Sequence, residues 1–238
     1  TITFSNGIYN GNLHVTKAQA GVQITVTDGA ISDSSNAFTV QPADLDHFKV
    51  EAGGGGAIGD QVAGTAFNIL ITAQDAYNNT VTTYGDGGET VDISDSTGTI
   101  TPATSGAFSG GVRTESVTIT QAQAGVQITV TDSTGGLGTG SETGVSNAFD
   151  VDPGVLTQFV FTTQPTDPST AGANIPVVIE ARDSNGNLIT SYNNNATISD
   201  TTGTVYESAE GDTTITFSNG IYNGNLHVTK AQAGVQIT

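Results

Sequence analysis

Apolar and polar residues alternate in short runs along this chain, and no stretch carries the helical period. The clearest run is Val22-Gln23-Ile24-Thr25-Val26-Thr27, which reads as one half-buried strand. Residues 13–16 alternate in the same way ahead of the turn at Ala20-Gly21, and residues 36–40 form another short strand before Pro42. A new series starts at Phe48-Lys49-Val50 and passes through the flexible run 53–56 into residues 66–74, with Phe67, Ile69, Ile71 and Ala73 on one face. The turn 75–79 then leads into 80–84, the signature of a hairpin. Further strands are expected at 90–94, 99–101, 112–120, 126–131 and 146–151, the last after the Gly-rich loop 133–144. From Pro153 the plan recurs: Phe159-Val160-Phe161, residues 175–182, the turn 183–187, Tyr192 and Ile198-Ser199-Asp200.

The recurrence has a sequence basis. Residues 1–25 and 214–238 are identical, with starts 213 positions apart. Between them, residues 108–132 align without gaps to 4–28 and agree at 15 of 25 positions. A repeat array is therefore expected, with an array's function rather than that of a single catalytic site. Strand number and spacing give tandem Ig-like β-sandwiches, an all-β fold with one complete and two partial domains. The expected divisions are 1–42 (the C-terminal part of one domain), 43–153 (a complete domain) and 154–238 (the N-terminal part of a third). Phe67, Ile71, Phe108, Val126, Ile128 and Phe149 are assigned to a common core. The missing half of each partial unit is expected from an adjoining repeat, in the same polypeptide or by strand complementation from a neighbour. Val22, Ile24 and Val26 would then face a neighbour's Ile175, Val177 and Ile179.

Composition narrows the function. With 23 Asp+Glu against 5 Lys+Arg, the net charge of −18 disfavours nucleic acid and anionic membranes. The chain has no Cys, hence no disulfide or thiol chemistry, and the absence of Met suggests an internal window of a longer polypeptide. No apolar run approaches a membrane span, so membrane insertion is not expected of this segment.

Three features resemble bacterial Ig-like repeats of the invasin/intimin type. They are Ala-x-Asp-x-x-x-Asn after a strand (Ala73, Asp75 and Asn79; Ala181, Asp183 and Asn187), Ala-Gly before Val-x-Ile-Thr-Val-Thr-Asp, and the closing Ser-Asn-Ala-Phe strand. The resemblance covers the whole chain and implies an extracellular, extended protein of bacterial or archaeal cell surfaces, with no catalytic residue to carry over.

Candidate chemistry is sparse. His14, His47 and His227 have no second His or Cys nearby in sequence to complete a zinc site. No nucleophile elbow occurs, so an enzyme is not expected. Asp183, Asn185 and Asn187 open like a calcium loop, but the twelfth position is Asn194 rather than Glu, and a tight turn explains the same residues. Asp44 and Asp46 at one unit boundary, and Asp150 and Asp152 at the next, are further candidate calcium ligands; no other cofactor is expected. Asn78 and Asn195 head glycosylation sequons. The reading is a structural segment of an extracellular filament, stalk or surface layer that self-associates with identical repeats. The alternative is an adhesin module binding carbohydrate or a partner protein through its loops.

Overall fold

A computed structural model describes all residues except 133, 134, 136 and 210. Three of these fall in the predicted Gly-rich loop, which lies to that extent outside the described residues. The fold is all-β, and the described residues contain no helix. Its short, mostly antiparallel strands are those of an Ig-like β-sandwich; β6 pairs with β13 in parallel. In chain order the first strands are β1 (Gln19–Val22), β2 (Thr25–Asp28), β3 (Ile31–Ser34), β4 (Phe38–Val40) and β5 (His47–Ala52). Next come β6 (Gln61–Val62), β7 (Phe67–Gln74), β8 (Val91–Asp95), β9 (Val112–Val117) and β10 (Gln123–Val126). Then follow β11 (Ile128–Asp132), β12 (Thr143–Val145), β13 (Phe149–Asp152), β14 (Gln158–Thr163) and β15 (Ile175–Arg182). The series ends with β16 (Asn195–Thr197), β17 (Val205–Glu207), β18 (Thr214–Thr216) and β19 (Ile221–Val228).

These strands fall into two compact units that interleave along the chain. The first comprises Thr1–Ile58, Phe67–Val117 and Gln127–Ala148. It holds the sheets β5-β7-β9 and β12-β11-β8 and the two-stranded pairs β1-β4 and β2-β3. The alternation read from the sequence appears directly: Ile69, Ile71 and Ala73 of β7 are sealed from solvent, while Phe67 at its start is half-buried. Phe48, Tyr84 and Phe108 add an aromatic cluster, with Tyr84 edge-on to Phe48 at 5.4 Å and to Phe108 at 4.9 Å.

The second unit comprises Gly59–Ala66, Thr118–Val126 and Phe149–Thr238. It holds β10-β13-β6, β14-β15-β19-β17 and β16-β18. Its main core gathers Ile175, Val177 and Ile179 of β15 with Ile215, Phe217, Tyr222, Leu226 and Val228 of the C-terminal copy. The predicted core residues thus divide: Ile71, Phe108 and Ile128 are buried in the first unit, Val126 and Phe149 in the second.

Several predicted strands take another form. Residues 13–16 make no strand, and 22–27 is not continuous: β1 pairs with β4, whereas β2 pairs with β3. The same break recurs at Gln127, between β10 (paired with β13) and β11 (paired with β8 and β12). Alternation alone cannot reveal a strand that changes partners midway. Residues 80–84 form turns tied to β7 by the Gln74↔Thr80 bridge and by the Val81 N–H to the Ala73 carbonyl at 2.9 Å. Residues 99–101 form no strand beyond a bridge at Thr101; ahead of them the Asp95 carboxylate accepts the backbone N–H of Thr97, Thr99 and Ile100 and closes a turn. The strand expected at 198–200 lies earlier, at β16, and Asp200 makes the same kind of turn.

Candidate functional site

The turn after β7 and the turn after β15 share one geometry. The carbonyl of Asp75 accepts the N–H of Asn78 at 2.9 Å, and its N–H donates to the Asn79 carbonyl at 3.0 Å. Asp183 does the same with Gly186 at 3.1 Å and Asn187 at 3.0 Å. The fourth residue of each turn is left-handed (Asn78 φ 64, Gly186 φ 85), a conformation that Asn and Gly adopt most readily.

Each turn folds round a buried carboxylate. Asp75 Oδ1 accepts the backbone N–H of Tyr77 and Asn79, both at 2.9 Å, and Oδ2 accepts that of Ala43 at 2.9 Å. Asp183 Oδ1 accepts Asn185 at 2.9 Å and Asn187 at 2.8 Å, and its Oδ2 accepts Gly154 at 2.8 Å. In both, the side-chain amide of the Asn donates to Oδ2 at 2.9 Å. Burial alone would push these carboxyls up. The side-chain bond from Asn79 and the N–H groups of Ala43, Asn79 and Tyr77 outweigh it and hold Asp75 below the usual carboxylate value. Asn187, Gly154 and Asn185 do the same for Asp183.

The Asn reaches further. Asn79 donates to the Thr16 carbonyl at 2.7 Å and accepts the Ala18 N–H at 2.9 Å. Asn187 donates to the Thr120 carbonyl at 2.8 Å and accepts the Ala122 N–H at 2.9 Å. Thr16 and Thr120 are equivalent positions of the repeated sequence, as are Ala18 and Ala122. One Asp–Asn pair therefore ties three segments: its own turn, the residue just past Pro42 or Pro153, and a segment more than 60 positions earlier. We call this the clamp.

The other predicted site residues are dispersed. Asp44 and Asp152 are exposed, and Asp46 faces the His47 ring at 3.0 Å. Asp150 Oδ1 accepts the Gly125 N–H at 2.8 Å. Asn185 belongs to the clamp turn through its backbone N–H. Asn78 and Asn195 are both exposed. His14 is exposed, and His227 lies against Ser208. Among the described residues, no group of three or more His, Asp or Glu side chains could hold a metal ion.

In sequence the Ala-x-Asp-x-x-x-Asn motif marks a turn and a resemblance, and nothing local in it signals the reach to Thr16 and Thr120. Two further carboxylate-centred turns, Asp95–Thr99 and Asp200–Thr204, are not among the expected sites, although the recurring Asp-x-Thr-Gly-Thr marks both. Asp200 accepts the N–H of Thr202, Thr204 and Val205, and these bonds with the Thr202 hydroxyl hold it low against the upward push of burial. Glu142 is similar: burial opposes, but Thr139 and Ser141 donors bring it down to about 2.

No protein-family model matches the chain, and no curated protein sequence matches it. Among solved structures it is similar to FdeC, an Escherichia coli adhesin, at 17% identity and TM-score 0.39, covering 92% of this chain and 68% of that one. Domains 5–6 of the S-layer protein SbsC align at 15% identity and TM-score 0.29, covering 83% of this chain and 97% of theirs. A Bacteroides uniformis β-glucuronidase aligns at 15% and 0.28, with 84% of this chain against 23% of the enzyme. Scores this low carry no functional argument, and the clamp has to carry it.

Proposed function

We propose that the chain is a structural segment of an extracellular filament, stalk or surface layer, in which clamps fix each repeat to the next. The observation that carries this is the recurrence of the clamp at two equivalent places. In each, a buried carboxylate holds the residue following the boundary Pro, and its Asn holds the closing turn of the preceding repeat. Each link is made of charge-assisted or amide hydrogen bonds centred on a buried carboxylate, most of them part-buried, and charge-assisted bonds are stronger than neutral ones. The extracellular setting rests on the motif resemblance to bacterial surface repeats, and the acidic surface fits a segment that neither inserts into membranes nor binds nucleic acid.

Single-molecule stretching tests the reading. The native chain should resist extension with discrete rupture events, and the double variant Asn79→Ala/Asn187→Ala should rupture at distinctly lower force. Extension without resistance, or equal forces for both proteins, would remove the structural role. Specific capture on a glycan array would instead favour the adhesin alternative.

A further inference from the structure

Two of the six prolines follow an aspartate, at Asp152-Pro153 and Asp167-Pro168. An Asp–Pro peptide is vulnerable to acid for a local reason. The side-chain carboxyl can attack its own main-chain carbonyl carbon by closing a five-membered ring. The tertiary nitrogen of proline then leaves more readily than an ordinary amide nitrogen. Asp152-Pro153 stands at the boundary between the repeats at 43–153 and 154–238. The equivalent boundary ahead of residue 43 carries Gln41-Pro42, which has no carboxyl to make the attack. Asp167-Pro168 lies between β14 and β15.

The fold prepares the first of these bonds and not the second. Asp152 closes β13, which runs parallel to β6 in the register Val151↔Gln61 and Asp152↔Val62. The Ala63 N–H, one residue further along, donates to the Asp152 carbonyl at 2.8 Å. That carbonyl belongs to the Asp–Pro bond, so a fixed donor already faces the oxygen on which negative charge develops during attack. Val151 is buried and anchors the strand end, while Asp152 itself is exposed. Among the described residues no donor holds the Asp152 carboxylate, whereas Asp150 Oδ1 is held by the Gly125 N–H at 2.8 Å. Asp167 is exposed as well, but no backbone N–H among the described residues donates to its carbonyl.

We propose that Asp152-Pro153 is a self-cleaving peptide bond, cut on acidification by the side chain of Asp152 with water as the co-reactant. An Asp152 Oδ bonds to the Asp152 carbonyl carbon, and the carbonyl electron pair moves onto the oxygen that faces Ala63. The tetrahedral centre collapses by breaking the bond to the Pro153 nitrogen, which takes a proton from the carboxyl or the medium. A cyclic anhydride then joins the two carboxyl carbons of Asp152. Water opens it, leaving the side-chain carboxyl restored and a new C-terminal carboxyl on Asp152, with nothing oxidised or reduced. The pieces stay together after the cut. β13 remains paired with β10 and β6, and the Gly154 N–H remains on Asp183 Oδ2 at 2.8 Å. Acid thus severs the covalent path between the repeats and leaves the hydrogen-bonded one. The inference goes beyond the structural role and stands without it, since it concerns one bond rather than the load the chain bears.

The test is mass spectrometry of the full chain held for days in buffers from about pH 7 to about pH 4, the range over which carboxyl groups take up protons. Acidification should yield two fragments, one ending at Asp152 and one beginning at Pro153, that separate under denaturing conditions. In the folded chain this cut should outrun the one at Asp167-Pro168 by at least about tenfold, a modest share of what one fixed oxyanion donor supplies in an enzyme. In concentrated urea the Ala63 donor is lost, and the two bonds should be cut at similar rates. Asp152→Gln copies the Gln41-Pro42 pair onto an exposed position, so it should keep the melting transition and lose the cut. An intact chain throughout, equal cutting of both bonds in the folded chain, a preference that urea leaves unchanged, or cleavage persisting in Asp152→Gln would each overturn the proposal.

Discussion

Residues 1–25 and 214–238 have the same sequence and different structures. In the C-terminal copy, Ile215, Phe217, Tyr222, Leu226 and Val228 all enter one core, and β19 runs unbroken beside β15 and β17. In the N-terminal copy the same side chains lie in the open: Phe4 is 52% exposed against 2% for Phe217, and Leu13 is 50% against 0% for Leu226. Only the Ser5↔Ile8 bridge survives from the hairpin, the counterpart of Ser218↔Ile221. The relation reverses in the second half, where Gln19–Val22 is a strand because β4 is at hand, and residues 232–235 are not. Intrinsic propensity is equal by construction, so the difference measures what partner strands contribute. Strand formation here is tertiary, as expected of a backbone whose ladder bonds are all made to other segments.

The largest test of that contrast is the paired substitution Leu13→Ala and Leu226→Ala. Removing Leu226 leaves a cavity in a closed core and should cost about 2–5 kcal/mol in denaturant unfolding. The same change at Leu13 should stay within about 0.5 kcal/mol. Equal losses would mean that the N-terminal copy is packed as the C-terminal one is, and the comparison would fail.

Next in size is the clamp, which holds one copy and not the other. Asn79 secures Thr16 and Ala18, whereas in the C-terminal copy the N–H groups of Thr229 and Lys230 turn to the Thr204 hydroxyl, both at 3.2 Å. Asn79→Ala should cost about 1–3 kcal/mol, since it removes a donor to the buried Asp75 carboxylate and leaves the Thr16 carbonyl and the Ala18 N–H without that partner. Amide exchange should rise sharply at Ala18 and stay unchanged at Ala231. Acid should act in the same direction. Asp75 and Asp183 have native carboxyl values below their unfolded ones, so the stability they confer is complete above the unfolded value near pH 4 and is lost as pH falls through the native value. Melting temperature should therefore decline below about pH 4, and less so in Asp183→Ala, which has already lost one such group.

Much of this was legible in the alternation of residues such as Ile69, Ile71 and Ala73, whose period of two survives any detail of pairing. The turns were legible because Asp, Asn and Gly stood at the positions a left-handed residue and an acceptor side chain require. What was not legible is partner choice. Gln23 and Gln127 sit inside unbroken alternation, yet strands end beside them because the flanking halves join different partners. The reach of Asn79 to Thr16 was hidden for the same reason: the motif fixes the turn, while the contact depends on a segment some sixty residues away.

A finer probe uses one glycine present in both copies. Gly7 and Gly220 are left-handed, with φ 77 and φ 78. A Cβ at Gly7 would meet nothing within 4 Å, whereas at Gly220 it would fall 2.4 Å from the Ile189 carbonyl oxygen. Gly7→Ala should cost only the backbone penalty, about 1–2 kcal/mol at most. Gly220→Ala should cost more, because backbone must move as well, and the thermal shift between the two variants reads that excess.

The smallest expected difference concerns His14 and His227, the same residue of the repeat. His227 stacks on Tyr206 with ring centroids 4.8 Å apart and planes at 7°. Its Nδ1 lies 3.2 Å from the Gly172 carbonyl and its Nε2 2.5 Å from the Ser208 hydroxyl. A carbonyl can only accept, so Nδ1 carries the proton, and Nε2 accepts from Ser208. Tyr206, Ser208 and Gly172 all belong to strands and turns of residues 154–213, whereas His14 is exposed. His227→Ala should therefore cost about 0.5–1.5 kcal/mol, at the lower end because the ring is partly exposed, while His14→Ala should fall within about 0.5 kcal/mol. The sharper readout is spectroscopic. Ring protons of His227, lying over the Tyr206 face, should resonate upfield of those of His14, and Tyr206→Leu should bring the two sets together. Coincident resonances in the unmodified chain would show that the two copies share one environment after all.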